Sequence, residues 1–211
     1  RAVEFAESHE KEYIAGLRPG IATDTQDITG TVLETSGKAV AIGELSYVLP
    51  EFMGEIMQVP PMYSAIKVQG QKLYDLARSG VEIERKSRAV TIKELEILGE
   101  EAGDFILRVV CSILIDVHCS KGTYIRTLCH DIGQRLGTGA AMSSLRRTVA
   151  GNFSIADAYT IDEIRELAAK GELDKLLLPV DTLFSEYPSV TVSDWQMKKC
   201  LCGNSFQTSE K

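Results

Sequence analysis

The 211-residue chain has no apolar run approaching the ~20 residues that a membrane-spanning helix needs, so no membrane association is expected. Its start, Arg1-Ala-Val-Glu-Phe, carries no apolar core of the secretory kind and no methionine, so an upstream segment is expected. Neither Gly-x-Gly-x-x-Gly nor Gly-x4-Gly-Lys-Ser/Thr occurs, which leaves nucleotide binding without a phosphate cradle. Histidine is scarce. His9, His118 and His130 have no companion signature from which a Ser/His/Asp arrangement can be built. His118-Cys119 and Cys129-His130 lack the Cys-x2-Cys spacing of a zinc site, and Cys200-x-Cys202 is one residue too short for a thioredoxin-type pair. The cysteines number five and sit mostly in apolar periodic segments, which reads as reduced, largely buried thiols in a cytoplasmic protein. Asp24 and Asp27 form only an Asp-x2-Asp pair, a pattern shared by many solvated loops. No internal repeat is visible.

Net charge is −7, which by itself argues against a polyanionic partner. The distribution is uneven. Residues 61–93 hold seven Lys/Arg against three Asp/Glu, and residues 118–149 hold five against one. Two basic segments in an acidic chain indicate a localised anion-binding face.

Lys11–Leu17 reads as a strand with Tyr13, Ala15 and Leu17 on one face. Residues 18–30 are rich in turn formers and read as a long loop. Residues 31–34 form a short strand candidate. Leu45, Val48, Leu49 and Phe52 have helical spacing, limited by Pro50. Pro60-Pro61 imposes an extended path, and Lys72–Ser79 is a short helix closed by Gly80. Val90 and Ile92, then Leu95 and Ile97, mark a strand with an irregularity between the pairs. Phe105–Val117 is the most apolar run and predicts a central strand with a bend. Ile125, Leu128, Ile132 and Leu136 predict a helix, followed by a strand over 144–151 that carries Arg146 and Arg147. Thr160–Glu163 and Ser193–Gln196 are capping-box patterns that open two later helices.

Between the central strand and the 125–136 helix lies Cys119-Ser-Lys-Gly-Thr-Tyr-Ile-Arg-Thr-Leu128. Gly122 suits the change of direction. Lys121, Thr123, Tyr124 and Arg126 are thereby presented beside a helix N-terminus, a favourable place for an anion. Tyr13, Tyr63, Tyr74 and Tyr124 interleave with Lys67, Lys72, Lys121 and Arg126. Flat rings beside cations suit unstacked bases on a phosphate backbone.

Several of these stretches together resemble one family. Val59-Pro-Pro-Met-Tyr-Ser-Ala-Ile-Lys67, Gly70-x-x-Leu-Tyr-x-x-Ala-Arg78-x-Gly80, the Cys119–Leu128 segment, Leu136-Gly-Thr-Gly-Ala140 and Leu145-Arg-Arg147 are similar to the TruB-type tRNA pseudouridine synthases. Lys11-Glu-Tyr13 and Thr23-Asp-Thr-x-Asp27-x-x-Gly30 match in the same order, so the resemblance runs to about Asp181. It implies isomerisation of the TΨC-arm uridine of tRNA to pseudouridine, with the base flipped from the arm and an aspartate nucleophile, without cofactor or metal. It implies an α/β (α+β) fold: a mixed, largely antiparallel sheet with flanking helices, and the start of a small C-terminal domain. The catalytic domain is expected over 1–180 and the beginning of an RNA-binding domain over 181–211.

Carried over by position, the resemblance makes Tyr13 the residue that stacks on the flipped base and takes part in proton transfer. Tyr124 contacts the target nucleotide, and Arg126 pairs with the catalytic aspartate. Leu145 packs under the base, Asp27 lies near its polar edge, and Lys67 belongs to an insertion that closes over the RNA. The partner implied is the tRNA TΨC stem-loop, with no obligate protein partner and a monomeric enzyme. The family's Gly-x-Leu-Asp-Pro motif, which holds the aspartate, does not occur in this sequence, so the 211 residues alone are expected to be inactive. A non-catalytic RNA-binding module on the same scaffold is the alternative. A guide-dependent, dyskerin-type relative is another, against which the Pro-Pro-Met-Tyr-Ser-Ala insertion argues.

Overall fold

A computed structural model describes residues 10–68, 70–112, 123–185 and 187–205. The chain forms two compact units, Arg1–Ile161 and Asp162–Lys211.

The first unit is built on a six-stranded antiparallel sheet. Its strands in chain order are β1 (Lys11–Pro19), β4 (Gly54–Gln58), β7 (Arg88–Glu101), β8 (Asp104–Ser112), β9 (Ala140–Ala150) and β10 (Phe153–Ser154). In space the order is β10-β9-β1-β8-β7-β4. Two small hairpins lie outside it: β2 (Ile21–Thr23) with β3 (Val32–Thr35), and β5 (Lys67–Val68) with β6 (Gln71–Lys72). Among the described residues this unit carries the helices α1 (Ile42–Val48), α2 (Leu73–Arg78) and α3 (Ile125–Leu136), with a 3-10 turn at Leu49–Phe52 after α1.

Strand alternation decides which face is buried. Tyr13, Ala15 and Leu17 of β1 point to the same side as Phe105, Leu107 and Val109 of β8, and all are buried. Onto that side pack Leu45, Val48 and Leu49 from α1 and its following turn, and Ile125, Leu128, Cys129 and Ile132 from α3. Complete burial of each Leu or Ile stabilises by about 1.5–3 kcal/mol relative to exposure. The opposite face is charged. Arg108 meets Glu94 at 2.5 Å, Glu12 at 3.5 Å and Glu96 at 3.7 Å. One dry face and one polar face is the usual arrangement of an antiparallel sheet.

The irregularity expected in β7 is present: its register against β8 shifts between Ile92 and Glu94. The shift changes the alternation phase, so that Val90 and Ile92 on one side of it and Leu95 and Ile97 on the other all turn inward. Of the Phe105–Val117 run, Phe105–Ser112 lies in β8, and the remainder falls outside the described residues, as do His9, His118, Cys119, Lys121 and Gly122. Three elements differ from the sequence expectation. Residues 18–30 are not one loop, because β1 continues to Pro19 and β2 follows. Residues 54–58 form an edge strand, although Gly-Glu-Ile-Met-Gln has no clean alternation. β9 begins at Ala140 rather than 144, because Ala140, Ala141 and Met142 are buried against α3 and β1. Cys200 and Cys202 are exposed, whereas Cys111 and Cys129 are buried. Burial pushes the Cys129 thiol up to about 12, so it is an inert core group.

The second unit contains most of α4 (Ile161–Ala169), two 3-10 turns (Leu173–Leu176, Val180–Phe184) and α5 (Asp194–Leu201). The Ser193 capping box is formed: the Gln196 N–H donates to Ser193 Oγ at 3.4 Å, and the Ser193 N–H donates to Gln196 Oε1 at 2.9 Å. None of its described helices buries a residue fully. No helix among the described residues is long and apolar enough to cross a membrane.

One close approach sets how α3 meets β9. A Cβ on Gly133 would lie 2.0 Å from the Ala140 nitrogen and 2.4 Å from the Gly139 carbonyl carbon. Backbone, rather than a movable side chain, fills that space, so Gly133→Ala should lower stability by about 1–3 kcal/mol in chemical denaturation. Gly99→Ala, where nothing lies within 4 Å, should change it by no more than about 0.5 kcal/mol.

Candidate active site

The candidate site is laid out by the register of β1 against β9. Tyr13 is opposite Arg147, and Ala15 is opposite Leu145. Since Tyr13 and Ala15 share a face, Tyr13, Arg147 and Leu145 lie on the same side of the sheet. The register shifts twice, between Glu12 and Tyr13 and between Gly16 and Leu17. Each shift leaves one extra residue on β9, Thr148 and Ser143. Between them, Ser144–Arg147 forms a run of four exposed residues on a strand whose ends are covered. Bulges of this kind re-aim side chains and are frequent beside functional sites. Gly16 permits the second one, because a Cβ there would meet Ser143 Oγ at 2.3 Å and Ser144 Oγ at 2.7 Å.

Tyr13 is 7% exposed and belongs to the core cluster. The Arg147 guanidinium sits 5.3 Å from its ring centroid. Burial raises the Tyr13 pKa, and Arg147 opposes the rise. The phenol is therefore protonated at neutral pH. Leu145, 46% exposed, is an apolar side chain open to solvent on the same face.

The loop carrying Asp27 is seated on β9 and α3. The Ile28 N–H donates to the Met142 carbonyl at 2.9 Å, and the Met142 N–H donates to the Gln26 carbonyl at 3.0 Å. Gln26 adopts a left-handed φ of 62°, uncommon for a residue with a Cβ. Its side-chain oxygen accepts from buried Thr127 of α3 at 2.7 Å. Asp27 is half-buried, and its carboxylate accepts from the Thr29 N–H at 3.0 Å and the Thr29 hydroxyl at 2.7 Å.

Arg126 precedes Thr127, in the first turn of α3. A cation there opposes the helix dipole, at a cost of a few tenths of a kcal/mol to ~1 kcal/mol. The half-buried Arg126 makes no hydrogen bond or ion pair with any described residue. Such a position suits an arginine that meets an anion rather than one that stabilises its helix. Tyr124, the N-cap residue, has no side-chain cap. Its backbone is held instead by Gln58: the Tyr124 N–H donates to Gln58 Oε1 at 2.8 Å, and Gln58 Nε2 donates to the Tyr124 carbonyl at 3.1 Å.

Tyr13, Leu145, Asp27, Tyr124 and Arg126 are thus carried by β1, β9, the loop docked on β9, and the start of α3. Lys67 stands apart, exposed on the β5–β6 hairpin opposite Lys72. Lys72 Nζ and the Arg78 guanidinium lie 5.1 and 5.4 Å from the Tyr74 ring centroid, so the insertion has its own ring-and-cation group. Sequence reasoning did not single out Gln26, Thr127 or Gln58. No sequence signal marks Gln58, because its burial shows only in the structure. No cluster of three or more His, Cys, Asp or Glu among the described residues could hold a metal ion.

The chain matches models of known families along most of its length. The N-terminal domain of TruB family pseudouridylate synthases matches residues 1–125, and the C-terminal domain of tRNA pseudouridylate synthase B matches residues 126–185. The tRNA pseudouridine synthase B of Pelotomaculum thermopropionicum is 44% identical over 206 residues, which is 97% of this chain and 64% of that protein. The enzyme of the same name from Geobacillus thermodenitrificans is 43% identical over 205 residues, 96% of this chain and 67% of its own. The chain therefore spans about two thirds of the length of these relatives. Among solved structures, a Cbf5-Nop10-Gar1 complex contains a chain that superposes with a TM-score of 0.62 at 27% identity, over 87% of this chain and 45% of that one. A chain of an H/ACA RNP bound to a substrate RNA containing 2′-deoxyuridine has the same fold, with a TM-score of 0.57 at 24% identity, over 87% of this chain and 44% of that one.

Burial and the neighbouring cation act oppositely on Tyr13, which gives a titration test. The tyrosinate absorbance step abolished by Tyr13→Phe should lie above pH 10, the ordinary tyrosine value. Arg147→Met should move it higher still. A step that stays put would show that Arg147 does not act on the phenol.

Proposed function

From the premise that the chain belongs to the TruB family of pseudouridylate synthases, we propose that it acts as part of an enzyme that isomerises the TΨC-arm uridine of tRNA to pseudouridine. The observation that carries this reading is a buried, protonated tyrosine on the same sheet face as an exposed leucine, together with an arginine at the start of α3 that makes no hydrogen bond or ion pair with any described residue. Flat, apolar and cationic groups together suit a flipped base and the anion that attacks its sugar.

In this reading the uracil stacks on Tyr13, with Leu145 beneath it and Asp27 at its polar edge. Tyr124 contacts the nucleotide. Arg126 holds the nucleophilic aspartate ionised and oriented. That aspartate attacks the ribosyl group as the C–N glycosidic bond breaks. The base turns and rejoins through carbon as the aspartate–ribosyl bond breaks; the joining carbon loses its proton and the freed ring nitrogen gains one, a transfer in which Tyr13 takes part. Lys67 and the β5–β6 insertion close over the RNA backbone. The catalytic domain runs over 1–180, and an RNA-binding domain begins at 181. The enzyme works as a cytoplasmic monomer without cofactor. The insertion and the bacterial relatives favour this stand-alone mode over a guide-dependent one.

Incubated with a TΨC stem-loop, the natural full-length protein should form pseudouridine, detected by nucleoside chromatography. Salt-dependent RNA binding without product would instead favour a non-catalytic RNA-binding module. The 211-residue chain alone, which contains no Gly-x-Leu-Asp-Pro, should form none. Product from it would move the nucleophile to Asp24 or Asp27.

Arg126→Ala in the full-length protein should lower the single-turnover rate by about a hundredfold or more. RNA affinity should change far less. An equal loss in both would make Arg126 a phosphate contact.

A further inference from the structure

Gln58 is 2% exposed, and it is the only residue among the largest fully buried side chains whose side chain is polar. A buried carboxamide is costly unless its donor and acceptor are both used. Here both are, and both go to one residue 66 positions away: the carboxamide pairs with the N–H and C=O of Tyr124 as a neighbouring strand would. The Tyr124 carbonyl also accepts the first helical bond of α3, from the Leu128 N–H at 3.0 Å. The side-chain pair therefore fixes the point from which α3 grows, and with it Arg126 two residues on.

Gln58 also ends β4 and leads directly into Val59-Pro60-Pro61, the root of the insertion. The insertion closes on itself through the Leu73 N–H to Ile66 carbonyl bond at 2.8 Å and the Tyr74 N–H to Ser64 carbonyl bond at 3.1 Å. Its small core of Met62, Ile66 and Leu73 packs against Tyr124. Tyr124 is thus gripped twice, through its backbone by Gln58 at the end of β4 and through its ring by the core of the insertion.

We infer that Gln58 is a positioning residue that clamps the Tyr124 backbone, so that docking of the 59–83 insertion and placement of Tyr124 and Arg126 are one event. Gln58 itself touches no reacting atom. The inference rests on the proposed isomerase activity for its kinetic consequence and on the hydrogen-bond geometry alone for its structural one.

The test uses the natural full-length protein with Gln58→Met, which keeps the volume and removes both bonds, and Gln58→Glu. Variants are compared at a temperature where all are folded by circular dichroism. Gln58→Met should slow single-turnover pseudouridine formation about tenfold to a hundredfold, with RNA Kd within about twofold of the parent. It should also speed hydrogen exchange at the Tyr124 amide about tenfold, while Leu107 is unchanged. Gln58→Glu should be impaired at alkaline pH and recover, relative to the parent at each pH, as pH falls. A protonated carboxyl restores one donor and one acceptor, whereas the carboxylate repels the Tyr124 carbonyl. An unchanged rate in folded Gln58→Met, a parallel rise in Kd, or a flat normalised pH profile for Gln58→Glu would overturn the clamp. Lack of product from the unsubstituted protein would overturn the isomerase reading instead. The exchange rate at Tyr124 would then still decide whether Gln58 holds that backbone.

Discussion

The pairing of β1 between β8 and β9 is the constraint on which the first unit depends. A nine-residue strand laddered on both edges cannot slide without turning its whole core face outward. Its register places Tyr13 opposite both Val109 and Arg147, so one side of the tyrosine is core and the other an exposed strand. The bulges on β9 flank the exposed segment next to Tyr13 and Ala15. That segment is bounded by the buried Ala140–Met142 on one side and the half-buried Thr148–Ala150 on the other.

The electrostatic arrangement follows from this frame. On the outer face Arg108 is surrounded by three glutamates and is neutralised several times over. On the other face Arg147 lies over the Tyr13 ring, and at the start of α3 Arg126 stands at the positive end of a helix. Such cations are complementary to an anionic ligand and contribute little to the fold by themselves. The acidic net charge is therefore no guide to the partner, since much of the acid lies on the far face of the sheet or in the second unit.

Polar groups with full hydrogen-bond complements hold the mobile-looking parts of the sequence in place. The turn-rich 24–30 segment would be a plain surface loop were it not bonded to Met142 on both backbone sides and to Thr127 through Gln26. The Pro-Pro insertion would be a tethered hairpin were it not anchored through Gln58. In both cases one buried polar contact on α3 decides where a segment distant in sequence comes to rest.

The sequence by itself determined the periodic elements and the chemistry of the side chains. The 3.6-residue spacing of Ile125–Leu136, the alternation in Tyr13–Leu17 and the interrupted phase around Ile92 were all readable, because each depends on near neighbours. The ordered motifs also carried the family. What the tertiary structure decided were the relations between distant segments: β9 beginning at Ala140, β4 as an edge strand, Arg147 over Tyr13, Gln26 on Thr127 and Gln58 on Tyr124. These depend on strand register and on close backbone approaches such as Gly133 to Ala140, which no local periodicity encodes. A polar residue in a sequence looks the same whether it faces water or closes a pair of hydrogen bonds 66 positions away. Only burial distinguishes the two.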